Sequence, residues 1–516
     1  MNLVHEPWIP VITGDGRRFT LGLADVVDRA ADIADIEGDA PHVRIALLRL
    51  LLAVIHRAAR GPVSFEEWGS WWERPEVPFG KASEYLAAHA DAFELFDPDR
   101  PFWQCPELTD EHAREAAKLV PSLASGNNRV WFDHTSVARP ARLTPAEAAR
   151  WLVALQMFQT GGILTGFPSG RGTSVHAPLA GAAVVCAIAV TLQRTLLLNL
   201  VRYDPASELP FAGSGEAEAD VPVWERIPPP GESGKRVPAG YVDWLTWPSR
   251  RVRLFVSDGA VDQVAITPGD RLPDGVERST FETMVPRRAS GRGRVLVDLR
   301  FSPDRAVWRE SSAILLRESV AEEALWRRAR VVDHVDELIA RSVLPPDTYV
   351  GVTVAGIAVD RSKYLDWGED QIGVSGKLLT DESKGRVILE AVKAAEDVAR
   401  ETGRAAQSSY AEADGRGGGG ASSAQDRCRG HLWAALGLHF HGLLTALAAD
   451  DEEAPDRWST ILSREALAAF DATAAPARFG DELRARIRAE SRLRRRLAHR
   501  LNQFREVAKA YLGGAA

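Results

Sequence analysis

The sequence contains very little cysteine, and this excludes two common ways of stabilising a fold. Its three cysteines, Cys105, Cys186 and Cys428, lie far apart in the chain. They can form neither a disulfide framework nor a cysteine-based zinc site. This cysteine usage is typical of a protein that works in a reducing cytoplasm, and we predict no metal or other cofactor.

Long apolar runs are also missing. The most apolar stretch, residues 155–190, is interrupted by glycines and by Pro168, Arg171 and His176. It therefore lacks the roughly 18 uninterrupted apolar residues that a membrane-spanning helix needs. The N-terminus has no basic start followed by an apolar block, so an export signal is not expected. We predict a cytoplasmic protein that does not associate with a membrane.

An excess of positive charge is absent as well. The 516 residues include 71 acidic and 63 basic side chains, which gives a formal net charge of −8. Any contact with nucleic acid must therefore come from local basic patches. Apolar residues make up 45% and charged residues 26%, as in soluble globular proteins with a large core. The length allows about two to four domains.

The first two-thirds of the chain mixes strand and helix patterns. Segments 8–12 and 17–21 flank a glycine-bearing turn and predict a hairpin. Periodic apolar positions predict helices at 23–34 and 42–60, and Thr144-Pro145-Ala146-Glu147 is a capping signal for a helix that runs to about residue 160. Short β-like runs are expected at 252–256, 295–299 and 349–359.

The rest of the chain is expected to be helical. Four amphipathic segments can be drawn there, near residues 378–413, 424–449, 457–475 and 478–512. We therefore predict an α+β fold, with a mixed α/β body over residues 1–370 and a C-terminal four-helix bundle over residues 371–516.

Catalytic motifs are weak. Residues 166–173 resemble a phosphate-binding loop, but the spacing is one residue short and Arg171 stands where lysine is required. Asp333 and His334 lie in an amphipathic segment, and a solvated helix face explains them better than a metal-dependent nuclease site. His431, His439 and His441 lack the cysteine or histidine partners of a zinc site. A metal-dependent nuclease or a phosphate-handling enzyme remains only an alternative.

The last predicted helix is unusually rich in arginine. One acidic residue, Glu490, lies between Leu483 and Arg505. The apolar residues fall near one helical face, at Leu483, Ile487, Leu497, Leu501 and Phe504. The arginines are spread over the other faces, at Arg484, Arg486, Arg488, Arg492, Arg494, Arg495, Arg496, Arg500 and Arg505. This cationic ridge suits contact with phosphates, although a solvated helix paired with acids such as residues 450–453 explains it equally well.

Two polar loops in the body suit binding through the backbone. Residues 125–132 combine amides, a cation and aromatic side chains, and Gly161-Gly162 closes the helix that begins after Thr144. Glycines allow a backbone to approach a partner closely, here a narrow groove. The simpler alternative is a helix cap and a connecting loop.

Together these segments resemble the CasA family, the large subunit of the type I-E CRISPR surveillance complex, Cascade. The matching motifs occur in order over most of the chain and include Trp8-Ile9-Pro10-Val11, Pro101-Phe102-Trp103-Gln104, the loop over 127–135, Gly161-Gly162, Leu197-Leu198-Asn199-Leu200, Pro222-Val223-Trp224 and Gly240-Tyr241-Val242. A C-terminal helical bundle also belongs to the family.

The resemblance implies a non-enzymatic role. The guide RNA reads the target by base pairing, while the large subunit reads the short flanking motif, the PAM. It contacts the PAM duplex from the minor groove, helps to open it and form the R-loop, holds the displaced strand and recruits the helicase–nuclease. The implied partners are the other Cascade subunits, the guide ribonucleoprotein, double-stranded target DNA and the displaced strand. A scaffold subunit that does not touch DNA is a further alternative.

The resemblance also assigns residues. The loop that contacts the PAM would contain Asn127, Asn128, Arg129, Val130 and Trp131. The glycine loop would be Gly161-Gly162, although Ile163 and Leu164 replace the further glycines of some relatives. A basic finger is placed at Arg271, and a wedge at Asp360, Arg361 and Ser362. Arg488, Arg492, Arg494, Arg495, Arg496 and Arg500 would contact the DNA strand or other subunits. Some relatives carry a cysteine zinc cluster, but no cysteine lies between Cys186 and Cys428, so none is expected.

Overall fold

Helices and strands alternate through residue 375, and only helices are described after it. The computed structural model describes residues 1–123, 140–165, 170–213, 219–226, 234–290, 295–318, 326–414, 419–476 and 480–513. This architecture confirms the predicted α+β class. None of the helices within these ranges is long and apolar enough to cross a lipid bilayer.

The strands form several small antiparallel sheets. Their bounds are β1 Ile9–Thr13, β2 Arg18–Leu21, β3 Ile33–Ile36, β4 Ala113–Glu115, β5 Gly162–Thr165, β6 Arg171–Ser174, β7 Val184–Ile188, β8 Arg250–Ser257, β9 Ala260–Pro268, β10 Arg287–Ser290, β11 Val295–Asp298, β12 Trp326–Arg327, β13 Tyr349–Asp360 and β14 Lys363–Ser375. The sheet orders are β2-β1-β3, β4-β9-β8, β5-β6, β11-β10-β12 and β14-β13-β7.

The described helices of the body have 5 to 19 residues, and those of the bundle have 20 to 34. Their bounds are α1 Leu23–Asp28, α2 Pro41–Ala59, α3 Phe65–Glu73, α4 Glu76–Ala88, α5 Pro145–Phe158, α6 Leu192–Asn199, α7 Tyr241–Leu245, α8 Ser311–Leu315, α9 Arg330–Ala340, α10 Gly376–Thr380, α11 Glu382–Asp414, α12 Gly419–Ala448, α13 Ala454–Thr473 and α14 Gly480–Gly513. Helix α1 ends earlier than its periodicity predicts, because residues 33–36 pair with β1 as strand β3.

Helix α2 runs through the centre of the body and is buried on nearly every side. Even Arg49 is only 1% exposed, and its Nη1 donates to Glu282 Oε1 at 2.9 Å. The indole of Trp244 donates to the other carboxylate oxygen at 3.0 Å. A buried charge of this kind is tolerated only because it is paired and hydrogen-bonded.

Helix α5 begins at the predicted capping box. The hydroxyl of Thr144 accepts from the Glu147 backbone N–H, and the Glu147 carboxylate accepts from the Thr144 backbone N–H at 2.8 Å. Pro145 occupies the first helical position, where its missing N–H costs nothing. The helix ends at Phe158, so its C-terminal end points to the glycines at 161 and 162.

Strands β13 and β14 form the longest hairpin of the body, paired from Tyr349↔Ser375 to Asp360↔Lys363. Strand β7 adds to the other side of β13. The boundary predicted after residue 370 falls inside β14, and helix begins at Gly376. The change from sheet to bundle therefore comes slightly later in the chain.

The bundle, which comprises α11 to α14, buries its own apolar seam. On α14 the side chains of Leu493, Leu497 and Leu501 are buried, as is Phe504. Two other predicted core positions are exposed, Leu483 by 39% and Ile487 by 53%, because the buried positions of the first turns are taken by alanines. The seam is thus narrower near the start of α14 than the sequence predicts.

One aromatic side chain of the body is inserted into the bundle. Trp308 stacks on Phe440 of α12 with the ring centroids 4.8 Å apart, and it meets the edges of Trp433 and Trp458. Beside it, Arg309 Nη2 pairs with Glu396 of α11 at 2.8 Å. The joint between body and bundle is therefore an aromatic cluster with a charged rim.

Candidate nucleic-acid interface

The glycine pair lies at the base of the β5–β6 hairpin and not within the end of α5. A Cβ atom on Gly161 would lie 2.8 Å from the Ser174 carbonyl oxygen, and Gly162 has a φ of +151°. Both positions therefore require glycine, the first for close backbone packing and the second for its conformation. The next residue, Ile163, is 70% exposed on the strand.

The expected wedge is the two-residue turn of the β13–β14 hairpin. Arg361 and Ser362 link the paired residues Asp360 and Lys363, with φ values of +44° and +67°. Two central residues with positive φ are typical of the tight hairpin turns that match strand twist. Asp360 and Arg361 are exposed, so the turn projects their charges into solvent.

The structure brings this turn next to the glycine hairpin. A cleft of about 490 Å³ is lined by Gln159, Thr160 and Leu164 on one side and by Ser362 and Lys363 on the other. Leu123, the last described residue before the gap at 124–139, lines the same cleft. Segments about 200 residues apart in sequence therefore face one another across one opening.

A second, larger cleft of about 980 Å³ lies on the other side of the turn and carries four arginines, Arg278, Arg288, Arg300 and Arg361. Arg278 pairs with Asp298 and Arg288 pairs with Glu310. Arg300 and Arg361 are exposed and have no ion-pair partner among the described residues. The same cleft is also lined by the acids Glu277, Asp298 and Asp360, so it offers a phosphate backbone these two free guanidiniums and not an overall positive charge.

The arginines of this cleft, other than Arg361, were not predicted from the sequence. They come from three separate places: Arg278 from a 3₁₀ turn, Arg288 from β10 and Arg300 from the position after Leu299. No single run of basic residues therefore marks all three in the sequence. The only sequence signal is the density of arginine over residues 287–300.

The other body residues assigned to the interface are not located at either cleft by the described part of the chain. Asn127, Asn128, Arg129 and Trp131 lie outside the described residues. Arg271 lines neither cleft; its backbone N–H donates to the Gly234 carbonyl at 2.9 Å, and its Nε is buried. These five assignments remain predictions.

The ridge on α14 is partly neutralised and partly free. Arg494 pairs with Glu490 at 2.7 Å, and Arg496 pairs with Glu401 of α11 at 2.6 Å. Arg488, Arg495 and Arg500 are exposed and have no acidic partner in the described parts of the chain. A shallow cleft of about 510 Å³ is lined by Glu401 and by Arg492, Arg495, Arg496, His499 and Arg500. The expected pairing with residues 450–453 does not occur within the described residues.

The candidate nuclease residues Asp333 and His334 are each held by other side chains, whereas residues 166–169 of the candidate phosphate loop lie outside the described residues. His334 is buried against Phe65 and Trp68, which corrects the expected solvated position, and burial lowers its pKa to about 3. Asp333 is ion-paired with Arg328, and burial raises the pKa of its carboxyl. Within the described ranges, no cluster of histidine, cysteine or carboxylate side chains could hold a metal ion.

The chain is similar to proteins of one known family. The family model of CRISPR-associated protein Cse1 matches residues 2–469. The CRISPR-associated protein CasA/Cse1 of Thermus thermophilus is 35% identical over 406 residues, which cover 77% of this chain and 75% of that protein.

Solved structures show the same fold. The crystal structure of CRISPR-associated protein Cse1 from Acidimicrobium ferrooxidans has a TM-score of 0.81 at 28% identity, covering 98% of this chain and 99% of that one. A chain of a CRISPR RNA-guided surveillance complex has a TM-score of 0.73 at 20% identity, covering 96% and 99%. From these matches, the chain belongs to the CasA/Cse1 family of CRISPR-associated proteins.

Proposed function

We propose that this chain is the non-catalytic large subunit of a type I-E CRISPR surveillance complex, where it recognises the PAM in double-stranded DNA. The observation that carries the proposal is the adjacency of the glycine hairpin β5–β6 and the Arg361 turn across one cleft. The partners are the other Cascade subunits, the guide ribonucleoprotein, target DNA and the helicase–nuclease that the complex recruits.

The two elements suit two different tasks on a duplex. A glycine-bearing hairpin brings backbone groups close to the floor of the minor groove, where A·T and G·C pairs can be told apart but little more is read. The charged turn exposes Asp360 and Arg361 to solvent and would separate the first base pairs beyond the flank. Unstacking costs a few kcal/mol per step, and pairing with the guide RNA offsets it. Loops 127–131 and Arg271 would add contacts to the same duplex.

The charge distribution supports a single docking face. The net charge of −8 repels phosphate over most of the surface. The free guanidiniums of Arg300 and Arg361 beside the turn and the ridge on α14 attract it locally. Complementary charge of this kind orients an encounter and increases its rate more than it increases final affinity.

The test is to assemble the particle with and without this chain and to measure binding to a library of flanking sequences. With the chain present, the particle should bind favoured flanking sequences at least about tenfold more tightly than disfavoured ones. This is the size of the affinity loss that one mismatched base pair causes in a protein–DNA site. Without it, the preference should disappear while guide pairing remains. Equal discrimination by both particles would overturn the proposal.

The ridge on α14 gives a second prediction, which separates DNA contact from a scaffold role. We expect the double substitution Arg495→Ala and Arg500→Ala to weaken DNA binding. The slope of log K against log[salt] should become less negative by about 1 to 2. These two side chains have no acidic partner among the described residues, so they are available to phosphate. The matched control is Arg494→Ala, whose guanidinium pairs with Glu490 and should matter less. A scaffold that does not touch DNA would show no change in either variant.

A further inference from the structure

Arg250, the first residue of β8, is a buried cation without a carboxylate partner among the described residues. It is 1% exposed. Its Nη1 donates to the Ser249 carbonyl at 2.7 Å, and its Nη2 faces the carbonyls of Gln159, Thr160 and Val175 at 3.3, 3.0 and 2.8 Å. Burial lowers the pKa of the guanidinium to about 9, so it is still charged at neutral pH.

Three of these carbonyls belong to the two legs of the glycine hairpin. Gln159 and Thr160 lie between the end of α5 and Gly161, and Val175 follows the last residue of β6. One nitrogen atom of Arg250 therefore faces both the entry and the exit of the hairpin. The guanidinium does this while its other terminal nitrogen, Nη1, holds the Ser249 carbonyl, whereas the single nitrogen of a lysine cannot occupy both positions at once.

The base of the hairpin is also fixed from two other directions. The side chain of Gln156 accepts from the Arg250 backbone N–H at 2.9 Å and donates to its carbonyl at 3.0 Å. The backbone N–H of Gly161 donates to Nδ1 of His176 at 3.2 Å. Burial and the nearby arginines lower the pKa of His176, which keeps the ring neutral and able to accept. The last turn of α5, the start of β8 and the hairpin form one hydrogen-bonded unit.

The energetics favour a role for Arg250 in this geometry over a role in stability. Removing a cation from water costs several kcal/mol, and neutral carbonyls return less than a carboxylate would. An apolar residue could fill the same volume at lower cost. What such a residue could not do is hold three carbonyls, from two chain segments, at fixed distances.

We infer that Arg250 is a positioning residue for the glycine hairpin, which sets the angle at which the backbone of Gly161 and Gly162 meets the minor groove. The inference rests on the proposed function, since it assigns the hairpin to the duplex. Arg250 itself touches no DNA, because its guanidinium is enclosed by the hairpin base and β8.

The test compares Arg250→Lys and Arg250→Gln with the wild-type chain in the assembled particle. We expect discrimination between favoured and disfavoured flanks to fall about tenfold in Arg250→Gln and by less in Arg250→Lys, whose amine can still reach one or two carbonyls. The salt dependence of binding should not change, because no phosphate contact is removed. Arg250→Lys keeps the charge and most of the length of the side chain. If Arg250→Gln does not fold, flank discrimination by Arg250→Lys is therefore the result that tests the inference.

Arg49→Met is the matched control. Arg49 is equally buried, but its guanidinium bonds to Glu282 and not to the hairpin. The Arg49→Met substitution should lower the melting temperature and leave flank discrimination intact. This result would distinguish a loss of hairpin positioning from a general loss of stability. Discrimination that persists in the folded Arg250 variants, or a shallower salt dependence in them, would overturn the inference. Absence of discrimination in the wild-type particle would instead overturn the proposed function.

Discussion

Lowering the pH from 7 to 5 should reduce the free energy of unfolding by about 5 to 6 kcal/mol through three buried histidines. His42, His56 and His334 are all less than 10% exposed. Burial lowers their pKa values to about 4, about 4 and about 3, below the ordinary value of 6.5. The rings are therefore neutral in the folded chain at pH 5, whereas the unfolded chain takes up protons as the pH falls through 6.5. Acid thus favours the unfolded state, by about 2 kcal/mol for each histidine at pH 5.

Urea unfolding curves at pH 7, 6 and 5 measure this loss. His42→Phe is the matched variant, because the ring lies among Trp151 and Phe158 and neither of its nitrogens has a hydrogen-bond partner among the described residues. We expect it to remove about 2 kcal/mol of the pH dependence without loss of stability at pH 7. The carboxyls of Asp220 and Asp333, whose pKa values burial raises, act in the opposite direction in both proteins. An unchanged pH dependence in His42→Phe would contradict the assignment.

Trp308→Ala should destabilise the joint between body and bundle by about 3 to 5 kcal/mol, the usual cost of deleting a buried tryptophan. Its ring is 6% exposed and contacts Phe440, Trp433 and Trp458 of the bundle. The cavity would open between two parts of the chain, where little else can collapse into it. Urea unfolding followed by tryptophan fluorescence measures the loss.

The control for this prediction is Trp308→Phe. It keeps an aromatic ring in the cluster and removes an indole N–H that is buried without a partner in the described part of the chain. The loss should therefore stay below about 1.5 kcal/mol. Equal losses in the two variants would show that ring packing is not what holds the joint.

Local signals in the sequence account for much of the fold. The capping box at Thr144 predicts the start of α5, because it needs only neighbouring residues. The turn at Arg361 follows from the end of a long β-like run, and the bundle helices follow from their apolar period. The predicted bounds of α11 to α14 differ from those observed by a few residues, with the largest difference at the start of α12.

Contacts between distant segments could not be predicted. Residues 29–34 continue the helical period of α1, but residues 33–36 pair with β1, and this distant contact prevails over local preference. In the sequence, Arg250 is an ordinary basic residue before a predicted strand. Its acceptors on the hairpin are backbone carbonyls 75 to 91 residues away, and no sequence pattern marks a backbone acceptor. His334 looks solvated on its own helix and is buried by α3, which lies far upstream.

The β13–β14 hairpin also has a mechanical consequence. Strand β14 runs from the turn at Arg361 to Gly376, where the C-terminal helices begin, and a bulge at Leu365 interrupts its pairing near the turn. Its 13 residues span roughly 43 Å at the usual rise of a strand. From Asp366 to Ser375 it is paired residue by residue with β13, and this ladder stiffens it, so a force that reaches this part of the strand is passed to the first helix with little bending. Displacement of the tip by a stiff double helix would therefore tilt the distant end of the molecule instead of being absorbed in between.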